Sequence, residues 1–149
     1  MIDPYDRKAV EAVWRRVRQA QKPVPSAEDF LWEALSMELE RSRSYRALAI
    51  RAPGFRRQLE QLAVRGERNC QRLRAVFRKP SPRALPAVAR EQLPLGQMLQ
   101  QLAQDAASAA SIYSDRAEQD PKLRRLLQSL AQENRRQSGI LLSMSRGKP

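Results

Sequence analysis

Apolar residues recur at three- and four-residue steps along most of this chain, the spacing that lines one face of an α-helix. Leu31, Leu35, Tyr45 and Ala49 mark a first long stretch; Leu59, Leu62 and Leu73 mark a second. Leu99, Leu102 and Tyr113 mark a third, and Leu127, Leu130 and Leu141 a fourth. A shorter stretch with Val10, Val13, Trp14 and Val17 precedes them, opened by Asp3 before Pro4 and broken by Lys22 to Pro25. A capping residue followed by proline is the favoured start of a helix. Ser26, with Asp29 three residues on, is a capping box carrying Asp in place of Glu. Alternating patterns and β-branched runs are absent, so the chain reads as all-α. Helices are expected over about 4–21, 26–52, 55–78, 94–120 and 121–145, in one domain covering residues 1–149.

The breaks set the topology. Pro53 and Gly54 turn the chain tightly after the first long helix, Pro121 starts the fourth, and the pattern fades at Gly147. Pro80, Pro82, Pro86 and Pro94 make residues 79–94 the one plausible linker. Extended at ~3.3 Å per residue, it can span a long helix rising ~1.5 Å per residue. Two tight hairpins joined by a long crossover therefore form a four-helix bundle, with a short N-terminal helix in addition. The hairpins are also copies of each other. Leu31, Tyr45, Ala49, Pro53, Arg56 and Leu59 recur 68 residues later as Leu99, Tyr113, Ala117, Pro121, Arg124 and Leu127.

The same stepping places polar residues among the apolar ones. Glu38 and Ser42 fall on the inner face of the first long helix, Gly66 and Asn69 on the second, Ala106 and Ala109 on the third, Asn134 and Gln137 on the fourth. Glu38 seven residues before Tyr45, then Leu62-Ala63 leading to Leu73, resembles the ferritin-like, rubrerythrin-type family, and the stretch from Leu99 to Leu142 repeats the pattern. The resemblance implies a ferritin-like bundle in which one helix carries Glu-x6-Tyr and the next Glu-x-x-His, the Glu and His residues holding two iron ions. Carried over, the ligand positions are Glu38, Gly66, Asn69, Ala106, Asn134 and Gln137. Five of the six have lost their ligands, and neutral amides are poor partners for iron. The resemblance thus implies a degenerate member with no metal cofactor. A register shifted by one keeps Glu38, Glu67, Cys70 and Glu133 as candidate ligands for iron or manganese. The leucine steps place Glu67 and Glu133 instead at the edge of the apolar stripe.

A buried carboxylate needs hydrogen-bond donors. The amides of Asn69, Asn134 and Gln137 and the hydroxyls of Tyr45 and Tyr113 are available to surround Glu38 in a core polar network. Cys70 has two readings, a thiolate activated by Arg68, Arg72 and Arg74 or a small packed residue. The second is favoured on a mainly apolar helix.

Composition narrows the chemistry. With no histidine, neither a Ser-His-Asp constellation nor an imidazole ligand is possible, and no phosphate loop or zinc spacing appears. One cysteine excludes an intrachain disulfide. Without a leader-like or membrane-spanning apolar run, a cytoplasmic location away from membranes is expected. The net charge is +12, and residues 41–90 carry 14 of the 28 Arg and Lys residues with only Glu60 and Glu67 opposing them. Arg41, Arg56, Arg57, Arg65, Arg68 and Arg72 are expected to form a basic face suited to an acidic protein or to nucleic acid. The leading functional expectation is a non-catalytic, metal-free bundle acting as a binding or assembly module. A homodimer through the N-terminal helix is one expected form of it. A rubrerythrin-like di-metal oxidoreductase on the shifted residues is the alternative, and nucleic-acid binding through the basic hairpin a second.

Overall fold

In a computed structural model, residues 25–77 and 93–147 are described, and they fold into an all-helical bundle of four helices. These are α1 (Ala27–Arg51), α2 (Arg56–Arg74), α3 (Leu95–Gln119) and α4 (Arg124–Ser145). The expected N-terminal helix with Trp14, and nearly all of the Pro-rich linker, lie outside the described residues.

Local chemistry sets the ends. Ser26 Oγ accepts the Asp29 amide at 3.1 Å, satisfying one of the donors that the first turn of α1 leaves open. Pro53–Phe55 form a 3-10 turn closed by the Phe55 amide on Ala52 O at 3.0 Å. The equivalent amide in the second hairpin, Leu123, closes on Asp120 O at 3.2 Å. α4 consequently begins at Arg124 rather than at Pro121, and α2 at Arg56 rather than 55. The proline in each hairpin fits a tight turn because it needs no amide donor, and the true helix starts one turn later. α2 also ends at Arg74, four residues earlier than its periodicity predicts. At the far end Gly147 takes a left-handed φ of 75°, and its amide closes on Met144 O at 3.0 Å, the glycine stop expected there.

The order of helices follows from contacts at their ends. Trp32 near the start of α1 stacks on Phe77 just past α2, with ring centroids 4.4 Å apart. Arg51 at the end of α1 donates to Leu93 O at 3.1 Å, and Arg116 near the end of α3 donates to Pro25 O at 2.9 Å. So α1 and α3 run antiparallel, and the chain leaves α2 at one end of the bundle and re-enters at the other. The two hairpins are therefore joined by a crossover rather than by a tight turn.

The interior has three levels. One apolar cluster, around Leu35, Leu73, Tyr113, Leu127 and Leu130, fills the end where α1 starts. A second, around Tyr45, Leu59, Leu62, Leu99, Leu102 and Leu141, fills the opposite end. Each fully buried leucine contributes roughly 1.5–3 kcal/mol. Between the clusters lie the buried polar side chains Glu38, Arg41, Ser42, Asn69, Asn134 and Gln137.

Candidate functional site

The polar level is built around Glu38, which is 1% exposed. Its Oε1 accepts the Tyr113 hydroxyl and the Asn134 amide, each at 2.9 Å, and its Oε2 accepts the Asn69 amide at 3.4 Å. Arg41, one turn further along α1 and 3% exposed, brings Nη2 to 3.0 Å from Oε1. That contact is held by charge rather than by an aligned hydrogen bond, because neither Nη of Arg41 has a hydrogen-bond partner. Burial works against the Arg41 charge, but Glu38 foremost, then Tyr45, Tyr113 and Asp105, outweigh it and hold the guanidinium above its ordinary range. Tyr113 is pushed well above the usual phenol value by burial first and by the Glu38 charge second. Tyr45, its counterpart in the repeat, donates instead to Gln137 Oε1 at 2.9 Å.

Of the six residues expected to share the core network, Tyr113, Asn69 and Asn134 hydrogen-bond Glu38, whereas Tyr45 and Gln137 pair with each other and the Gln137 amide nitrogen does not reach the carboxylate. Arg41 was expected on the basic face, and the structure corrects this: the side chain points inward as the counter-ion of Glu38. Its signal in the sequence was the three-residue step from Glu38, which puts both on one helix face. Ser42 also belongs here, donating from Oγ to Glu38 O at 2.9 Å.

Gly66 and Ala106, which the resemblance aligned with metal ligands, are buried and bring no donor atom. A methyl group added at Gly66 would meet Ser42, so α1 and α2 approach closely at this level. The shifted set does not converge. Glu67 is half-exposed and pairs with Arg46, Glu133 faces Arg65 at 3.9 Å, and only Glu38 and Cys70 point into the core. Among the described residues no three His, Cys, Asp or Glu side chains gather as a metal-binding group. The surroundings of Glu38 do not fit a di-iron centre, since they offer hydrogen-bond donors and a guanidinium where further anionic ligands would be needed.

Of the two readings of Cys70, the structure fits the packed one. Burial and then the Glu38 charge push its thiol up to about 11, outweighing Arg74 and Arg41, and the side chain is 2% exposed. It packs as a small apolar group.

On the surface, Arg56 is paired with Glu60 at 3.0 Å and Arg57 is exposed. Arg65, Arg68 and Arg72 line a groove between α2 and α4, joined by Arg136, the counterpart of Arg68 in the repeat and not one of the residues expected on the basic face. No helix among the described residues is long and apolar enough to cross a membrane. No family model, curated protein or solved structure matches this chain.

Proposed function

We propose that this chain is a non-catalytic, metal-free bundle of the ferritin-like type that serves as a binding or assembly module. The crossover from α2 to α3, which the antiparallel run of α1 and α3 requires, supports the architectural part, being the connection of ferritin-like bundles. One observation carries the rest: the single carboxylate at the ligand level, Glu38, is taken up by Tyr113, Asn134, Asn69 and Arg41. A buried carboxylate with that many donors is satisfied without a metal, and the guanidinium supplies the balancing positive charge. What is left to act is the strongly basic surface, which favours anionic partners.

The test is elemental analysis of protein expressed in iron- and manganese-supplemented medium, with Glu38→Ala as the control. The expected result is a helical protein without stoichiometric metal. About two metals per chain, as in di-iron bundles, that vanish in the variant would restore a redox enzyme.

A further inference from the structure

The groove between α2 and α4 encloses about 390 Å³, within the range of small-molecule sites. Arg65, Arg68 and Arg72 are three and four residues apart and share one face of α2; Arg136 faces them from α4 beside Glu133, and the uncharged Asn69, Ser129 and Gln132 complete the lining. Four guanidiniums oppose one carboxylate, and that carboxylate already has Arg65 at 3.9 Å. Arg68, Arg72 and Arg136 have no ion pair or hydrogen bond among the described residues. Cations held this close repel one another until an anion comes between them.

The chemistry selects the anion. A carboxylate carries one charge and two oxygens, which a single arginine fork satisfies. A phosphoryl group carries up to two charges and three oxygens, and so can engage forks from both walls at once. None of the lining residues is aromatic, so the groove offers no platform on which nucleic-acid bases would stack. We propose that the α2–α4 groove binds a small phosphorylated anion, its phosphoryl group held by Arg68 and Arg72 from one wall and Arg136 from the other. This rests on the reading of the bundle as a binding module. Asn69, which donates to Glu38, ties the groove to the buried polar level.

Inorganic pyrophosphate is the probe, titrated calorimetrically at fixed ionic strength into the wild type, Arg68→Gln, Arg136→Gln and Arg125→Gln. Arg125 is exposed and is not among the groove residues. The expected result is one saturable site, weakened about tenfold by each groove variant, the worth of one charge-assisted contact, and less than twofold by Arg125→Gln. Unchanged thermal midpoints establish that the exposed substitutions leave the fold intact. Absence of saturable binding overturns the proposal, as does an equal loss in Arg125→Gln, which would mean attraction by net charge alone. A short single-stranded oligonucleotide is titrated alongside. Tighter binding than pyrophosphate, insensitive to Arg136→Gln and falling steeply with salt, would make the surface a nucleic-acid face and also overturn the proposal. Metal analysis of the same sample separates the two readings. A metal-free protein that ignores pyrophosphate loses only the groove, whereas a metal-loaded one loses the reading of the core.

Discussion

Gly66 and Ser42 should behave as one unit, and a double-mutant cycle measures how strongly. A methyl group built on Gly66 overlaps Ser42 Oγ and lies 3.3 Å from Ser42 Cβ, but 3.8 Å from Ser42 Cα, an ordinary contact. Replacing a mid-helix glycine with alanine in open space would stabilise α2 by roughly 0.5–1 kcal/mol. Here Gly66→Ala must also displace the Ser42 hydroxyl from Glu38 O, losing about 1 kcal/mol. Overpacking adds a cost of roughly 1–3 kcal/mol. The net expectation is a destabilisation of about 1–3 kcal/mol, opposite in sign to the helix-propensity effect. Ser42→Gly alone should cost about 1 kcal/mol through the lost hydrogen bond and the added chain entropy. The exchange Ser42→Gly/Gly66→Ala moves the bulk across the helix pair without a clash and should return close to wild-type stability. The coupling is then about 2–4 kcal/mol, read from urea unfolding of the four proteins by circular dichroism. If the single effects add to within about 0.5 kcal/mol, the two residues are independent and the close approach of α1 and α2 is refuted.

Three further outcomes follow from the polar level. Tyr113→Phe removes one donor from a buried carboxylate and should lower unfolding free energy by about 1–3 kcal/mol; an unchanged urea midpoint would show that the hydroxyl is dispensable. Arg41→Met leaves Glu38 without its counter-ion and should cost about 3–5 kcal/mol, most of it regained in Glu38→Gln/Arg41→Met. A double variant no more stable than Arg41→Met would assign the loss to packing. Cys70 and Tyr113 both hold their protons more tightly when folded, so the unfolded chain sheds protons first as pH rises. The Cys70 contribution is complete below the ordinary thiol value of 9.0 and is lost as pH climbs through about 11, and that of Tyr113 starts to fall only above the ordinary phenol value of 10.0. The urea midpoint should therefore fall across that window, less so in Cys70→Ala, and Cys70 should resist iodoacetamide in native protein near neutral pH. Rapid alkylation there would contradict its burial.

The helices were legible because their apolar steps are long and regular, and Ser26 and Gly147 announce two of their ends. Pro121 misled by three residues, since a proline suits a tight turn as readily as a first helical position. Glu38 and its amide partners were legible from phase alone. Arg41 was not, because a long cationic side chain is counted as surface until its partner is known to be buried one turn away. The apparent register Glu67 and Cys70 dissolved for the converse reason: adjacent helix positions differ by about a quarter turn, which separates a half-exposed ion pair from the core. Arg136 was not legible as part of the basic face because the groove exists only where α4 meets α2, two segments far apart in sequence.

The two hairpins have become unlike halves. Had the repeat kept its symmetry, Tyr113 would pair with Asn69 as Tyr45 pairs with Gln137; instead it reaches the carboxylate that only the first hairpin carries. The first hairpin brings the charges, Glu38 and Arg41, and the second brings Tyr113 and Asn134 to receive them. Two first hairpins placed together would bury two carboxylates and two guanidiniums with neither of those donors, and two second hairpins would bury donors with no carboxylate to engage. Each half thus recognises its complement better than its own kind, so that separately made hairpins should assemble as a heterodimer. In a duplicated chain, that asymmetry steers every molecule toward closing on itself rather than trading hairpins with its neighbours.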